Sequence, residues 1–316
     1  MNTQTQSGQI DMDYHVDLDE AIAEKSRDYE DLTSCTLLDL PDRMPKIHDV
    51  LYGSDGLYDL LKRSGSYGEA QKLSKEFQRY INYLPKQARR TYDLYRAEAF
   101  LKLAELSLIA DASGRSASIH TNVQRALEVL SQYEGDNKNE ASYLDAIAQG
   151  FTSDLFESED NLDGAIEARM RQKESIEGLV ERSAAAAYLN VSALTSLKLA
   201  ELYRKRVDQQ AQGKPSQSKS LLEPAIQELE AAVEKSRRLV EADPSWENKL
   251  TLMTALYQSG EVATKRKDAV AQLKESLDLA KQLQAEKPSG NLREMIGKVS
   301  ATLRKRQGFL GRLLGL

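Results

Sequence analysis

Cysteine is almost missing from this chain. The single Cys35 excludes an intramolecular disulfide framework. Histidine occurs three times (His15, His48, His120) and tryptophan once, at Trp246. None of the histidines lies within helical reach of another or of Cys35, so the convergent spacing of a metal site is lacking. Proline is sparse as well, and its seven occurrences fall at or near the boundaries of segments that otherwise read as helices. No apolar run approaches the roughly 20 residues that a membrane-spanning helix needs. The segment Met1–Gly8 has no basic stretch followed by an apolar one, so no secretory signal is recognised and a cytoplasmic location is the default expectation. A net charge of −6 argues against general nucleic-acid binding. No β-branched run alternates with period two, so strands are not required.

What remains is enough for a core. Hydrophobic residues make up 41% of the 316 positions and charged residues 29%. A chain of this length is one large domain, two smaller ones, or five or six helical repeat units. The charge is uneven along it. From Met1 to Pro45 there are eleven acids and three bases, whereas Arg293 to Leu316 holds six bases and one acid.

Internal repetition decides between those options. Ala225-Ile-Gln-Glu-Leu229 recurs as Ala269-Val-Ala-Gln-Leu273, Leu239 as Leu283, and the break at Asp243-Pro244 as Lys287-Pro288, all 44 residues apart. Leu101–Leu106 (LKLAEL) recurs identically at Leu197–Leu202. Ser183 aligns with Asp243 at an offset of 60 and is a candidate N-cap for a helix over 184–206. The polar stretch 209–220 accounts for the extra 16 residues of that unit as an exposed loop. One hairpin of about 40 residues cannot bury both apolar faces, and stacking hairpins does so. The expected fold class is therefore all-α, a right-handed superhelical solenoid of helical hairpins.

The expected organisation runs in four parts. Residues 1–45 form an acidic, partly disordered arm, with disorder over 1–18, a short helix over 19–32, and helix stops at Pro41 and Pro45. A helical cap occupies 46–66, the solenoid 67–307, and an amphipathic tail 308–316. One long helix is expected over 87–112, closed by Gly114.

Glu241-Ala-Asp-Pro244-Ser-Trp246, then Leu256-Tyr257-Gln-Ser-Gly260-Glu-Val262, then Ala269 and Leu273, resemble the tetratricopeptide repeat superfamily. The nearer likeness is to its long-helix variants found in bacterial multidomain proteins. The resemblance is strongest over 225–288. Gly260 and Ala269 lie closer together than in the family, so its groove-lining positions are not transferred to this chain. The resemblance implies protein–protein interaction and assembly, with no enzymatic activity.

Other constellations read as structure. The three histidines are expected at the surface or at helix starts. Cys35 lies in an acidic segment that would raise a thiol pKa rather than activate it. Glu157-Ser-Glu159-Asp160 and Asp17-Leu-Asp19-Glu20 lack the spacing of a calcium loop and read as solvated faces. Trp246 is expected to pack between hairpins. Gly308-Phe-Leu-Gly311 has neither the preceding strand nor the following lysine of a phosphate loop. No motif implies a cofactor.

The feature that points to a function is the C-terminus. Arg304, Lys305 and Arg306 precede Phe309, Leu310, Arg312, Leu313, Leu314 and Leu316. As a helix this segment places Phe309, Leu310, Leu313 and Leu314 on one face. Three glycines weaken such a helix, so it is expected to form only when bound. Three occupants remain open: the chain's own last hairpin or a second copy, a partner protein, or a membrane surface, for which these few apolar side chains alone are marginal. The expected function is thus a non-enzymatic adaptor or scaffold that binds partner proteins. The alternatives are a peripheral membrane or compartment-associated structural protein and a regulatory subunit of a signalling enzyme.

Overall fold

The computed structural model describes the backbone of residues 5–36, 38–53, 55–110, 116–210 and 222–313, and the same side chains except those of 5–17, 87, 110, 116 and 308–313. Among the described residues every regular element is a helix. The chain divides into two compact units, Met1–Phe151 and Thr152–Leu316.

The first unit holds α1 (Thr5–Thr33), α2 (Leu40–Tyr52), α3 (Leu57–Arg63), α4 (Tyr67–Tyr83), α5 (Lys86–Thr91), α6 (Asp93–Ala110), α7 (Ser116–Ser131) and most of α8 (Lys138–Ser158). Its core is built from helical stripes. In α4 the buried residues are Ala70, Ser74, Phe77 and Ile81, spaced by four and three so that one face turns inward. They meet Met44, Ile47 and Leu51 of α2 and Leu57, Tyr58 and Leu61 of α3. Gly53 and Gly56 separate α2 from α3, as their positions suggest. A Cβ at Gly56 would lie 2.7 Å from the Leu51 carbonyl oxygen, so only glycine fits this corner.

Three expectations change here. Helix α1 begins at Thr5 rather than near Asp19. Its buried Leu18 and Tyr29, with half-buried Ile22 between them, dock one stripe on the unit, and a docked helix propagates at the gain of one hydrogen bond per residue. Pro41 and Pro45 do not stop a helix, since both lie within α2. Pro41 falls in the first turn, where no N–H is needed. Pro45 leaves the Pro41 carbonyl without its helical donor, and the Tyr92 hydroxyl donates to that oxygen at 2.7 Å. The expected helix over 87–112 is broken at Tyr92, whose φ of −111° and ψ of 19° separate α5 from α6. Its closing Gly114 lies outside the described residues.

The second unit continues from the end of α8 with α9 (Leu162–Arg182), α10 (Ala186–Gln210), α11 (Glu223–Ala242), α12 (Trp246–Val262), α13 (Arg266–Glu286) and α14 (Gly290–Leu313). Consecutive helices pack on one another, hairpin after hairpin. The repeat is visible in three dimensions. Ala225, Leu229, Ala232, Ser236 and Leu239 of α11 are buried, and so are Ala269, Leu273, Ser276, Ala280 and Leu283 of α13. Helix α9 fits the same register with Ala165, Arg169, Gln172, Ile176 and Leu179. All three helices end alike: Ser183, Asp243 and Lys287 are extended and donate their N–H to the carbonyls of Leu179, Leu239 and Leu283. Ser183 therefore terminates α9 and does not cap α10, which begins at Ala186. At the crossing of α12 and α13 a Cβ on Gly260 would sit 2.7 Å from Leu273 Cγ, so glycine sets how closely these helices approach. The expected loop over 209–220 lies outside the described residues from 211 onward.

Candidate functional site

The first unit carries a basic cleft of about 650 Å³. Pro85, extended at φ −54° and ψ 147°, starts α5 and turns Lys86, Arg89 and Arg90 toward it. The break at Tyr92 then sets Asp93 and Arg96 of α6 on the same wall, facing Val129, Gln132 and Glu134 at the end of α7. Of the four cations only Arg96 forms an ion pair among the described residues, with Asp93 at 3.5 Å. Arg89 is pinned by the backbone, its Nη2 donating to the carbonyls of Asn82 at 2.7 Å and Leu84 at 3.1 Å. Its buried Nε has no hydrogen-bond partner among the described residues. Lys86 and Arg90 are exposed. Burial pushes the Asp93 carboxyl above its usual value, and the nearby charges of Arg96, Arg90 and Arg89 only partly offset it.

A second polar group of the first unit surrounds His48. Its Nε2 is 2.7 Å from Glu98 Oε2, and its ring stacks on Tyr95 at 3.9 Å between centroids. His48 is thus half-buried, where a surface or helix-start position was expected. The next turns of α6 complete the group: the Tyr58 hydroxyl lies 2.8 Å from the Lys102 carbonyl and 2.9 Å from Glu105, which also pairs with Lys62 at 2.9 Å. Burial and the Glu105 charge push the Tyr58 hydroxyl well up. These groups satisfy one another and read as packing.

The second unit contains a buried arginine. Arg169 occupies the register taken by Leu229 and Leu273 in the following repeats. Its Nε donates to Ser153 Oγ at 3.3 Å and its Nη1 to Gln172 Oε1 at 2.7 Å, while Nη2 bonds Asp154. Burial shifts both partners against charge, Asp154 upward and Arg169 downward. Around them charges pair between helices: Lys173 with Glu228 at 2.7 Å, Lys235 with Glu177 at 2.8 Å, Arg237 with Glu275 at 2.6 Å.

The residues singled out at the C-terminus are placed in part. Helix α14 continues unbroken through Leu313, where helix was expected only on binding. Its packed body, with Val299 and Leu303 against Leu273, supplies the nucleus, so extension past Gly308 and Gly311 costs only about 1 kcal/mol per glycine. Arg306 donates to the Glu261 carbonyl, and Arg266 to the carbonyls of Arg306 (2.8 Å) and Gln307. These bonds latch the helix to the last turn of α12 and the first turn of α13. Arg304 and Lys305 are exposed. Phe309, Leu310, Arg312 and Leu313 are placed by backbone only, and Leu314 and Leu316 lie outside the described residues. Trp246 is half-buried among Met253, Ala280, Leu283 and Leu292 and donates its Nε1–H to the Leu283 carbonyl at 3.3 Å. Cys35 is partly buried against the first unit's core, and Glu157 pairs with Lys198 at 2.9 Å and with Lys205. Among the described residues no three His, Cys, Asp or Glu side chains converge as metal ligands, and no helix is long and apolar enough to cross a membrane. Neither the basic cleft nor Arg169 emerged from sequence reasoning. Their signals were the cations at 86, 89, 90 and 96 and an arginine in a leucine register.

No family model matches the sequence, and no curated protein matches it. Solved structures do. BtubC (BKLC) from P. vanneervenii superposes with a TM-score of 0.51 at 16% identity, over 85% of this chain and 91% of that one. The nuclear import adaptor Nro1 of S. pombe follows at a TM-score of 0.40 and 13% identity, over 83% and 99%. The designed helical repeat protein DHR64 gives 0.29 at 16%, over 69% and 96%. At such identities the likeness is one of fold, and the two lower scores add nothing to it. The fold class is an all-helical repeat protein.

Proposed function

We propose that this protein is a non-enzymatic scaffold of tetratricopeptide type that binds a partner protein through the C-terminal end of α14. One observation supports this reading above the others. The helix is latched to its own unit up to Gln307, while Arg304 and Lys305 stay exposed with no ion pair among the described residues, and the helical backbone runs on to Leu313. By helical spacing Phe309, Leu310 and Leu313 then share a face. A preformed amphipathic helix loses little entropy on docking into a partner's groove. Capture by a peptide of residues 304–316, with cross-linking and light scattering of the full chain beside a chain ending at Gln307, tests it. The expected result is a protein partner, or a higher mass, that the shortened chain loses. Equal behaviour of the two chains, or flotation of only the full chain with anionic vesicles, sinks the proposal.

A further inference from the structure

We infer that the basic cleft of the first unit binds a diphosphate-type anion, with Arg89, Arg90 and Lys86 as its phosphoryl ligands. Charge calls for a phosphoryl group, and volume for a second one. Four cations line the cleft, Arg96 is engaged by Asp93, and Glu134 is the one remaining acid on the opposite side, so the lining carries a surplus of two positive charges. A phosphate monoester carries about −1.5 to −2 charges near neutral pH, so a phosphoryl group meets this surplus. The volume asks for more than one group: about 650 Å³ is more than a lone phosphate fills and lies within the roughly 300–1,000 Å³ of small-ligand clefts.

The donors suit phosphoryl oxygens. Arginine offers a planar fork that bonds two such oxygens at once, and lysine adds a mobile point charge. Arg89 is already oriented by the Asn82 and Leu84 carbonyls, so little side-chain freedom is lost when a ligand arrives. Neutral carbonyls hold it in place without cancelling its charge. Arg90 and Lys86 are exposed on the same short helix, one turn apart, and can close on the ligand.

The test is isothermal titration of the full chain with pyrophosphate at near-physiological salt, with citrate as the carboxylate control. One saturable site is expected for pyrophosphate. Lys86→Ala with Arg90→Ala should weaken it at least tenfold, whereas Arg304→Ala with Lys305→Ala, which removes the same charge elsewhere, should leave it unchanged. Arg90→Lys keeps the charge and loses the fork, so it should bind with an intermediate affinity. A parallel titration with adenosine diphosphate sorts the source: tighter binding than pyrophosphate marks a nucleoside-borne ligand, and equal binding marks the diphosphate itself. The inference is overturned by absence of saturable binding, by equal loss in both double variants, by citrate binding as tightly as pyrophosphate, or by Arg90→Lys binding like the native chain. Unchanged far-UV circular dichroism and unfolding midpoint keep each variant interpretable. The site is independent of the α14 segment, so failure here leaves the scaffold proposal standing.

Discussion

Arg89 and Arg169 present the same guanidinium to opposite circumstances. In the second unit Arg169 is buried, and a hydroxyl, an amide and a carboxylate accept its hydrogen bonds. In the first unit Arg89 is held by two carbonyls at the wall of an open cleft, with no carboxylate paired to it among the described residues. Where acceptors surround the group, its charge is engaged in holding neighbouring helices together. Where neutral backbone holds it, orientation is fixed while the charge stays available. Arginine in a helical repeat therefore marks a packing seam or a ligand site according to what fixes it, and composition alone does not separate the two.

That contrast can be broken experimentally, and the largest effect is expected where the buried Arg169 meets the partly exposed Asp154. Asp154→Ala leaves the Arg169 charge without its carboxylate, which should cost about 3 kcal/mol in urea unfolding. Arg169→Leu combined with Asp154→Asn restores the residue type of Leu229 and Leu273 and should be neutral or stabilising by about 1 kcal/mol. A loss as large as that of the single variant would show that the pair is net favourable and that its burial is no handicap. Gly260→Ala pushes a methyl group against the fully buried Leu273 and should cost about 1 kcal/mol, the overpacking exceeding the gain in helix propensity. By contrast, Lys86→Ala with Arg90→Ala should move stability by no more than about 0.5 kcal/mol, because both side chains are exposed. A larger change would place the basic cleft among the packing seams and erase the distinction.

The smallest effect is on pH dependence. Glu157 and Glu201 resist lowering by burial, yet hydrogen bonds and charge from Lys205 and Lys198 bring both below the usual 4.5. Their contribution is present above pH about 4.5 and is lost as pH falls through the lowered values. Asp154 and Asp93 are shifted upward, so theirs has the opposite sign: stability is gained as pH falls from their raised values toward 3.8. Lys205→Met should therefore flatten the acid limb of a stability–pH curve, and Asp154→Asn should steepen it. Identical curves for the two variants would contradict these assignments.

The repeat was legible because helical packing has a period. Ala225, Leu229 and Leu239 match Ala269, Leu273 and Leu283 at a fixed spacing, and each pair proved to be a buried stripe with the same helix ending. Trp246 was legible for the same reason. His48 was not, because its partners Glu98 and Tyr95 lie far along the chain and only folding sets them against it. Pro45 misled because its helix-breaking cost depends on the carbonyl it strands, and Tyr92 satisfies that oxygen from the distant break between α5 and α6. The basic cleft was missed because Lys86 and Arg90 read as ordinary solvated cations until Val129 and Glu134 close the opposite side.

By itself the sequence determined the helical class, the hairpin period and the exclusion of a disulfide framework, since these rest on local propensity, spacing and counts. Tertiary structure decided which charges are cancelled and which are left over. The energy of a charge depends on the groups within a few ångströms of it, and in a repeat fold those groups come from helices that the linear order keeps apart.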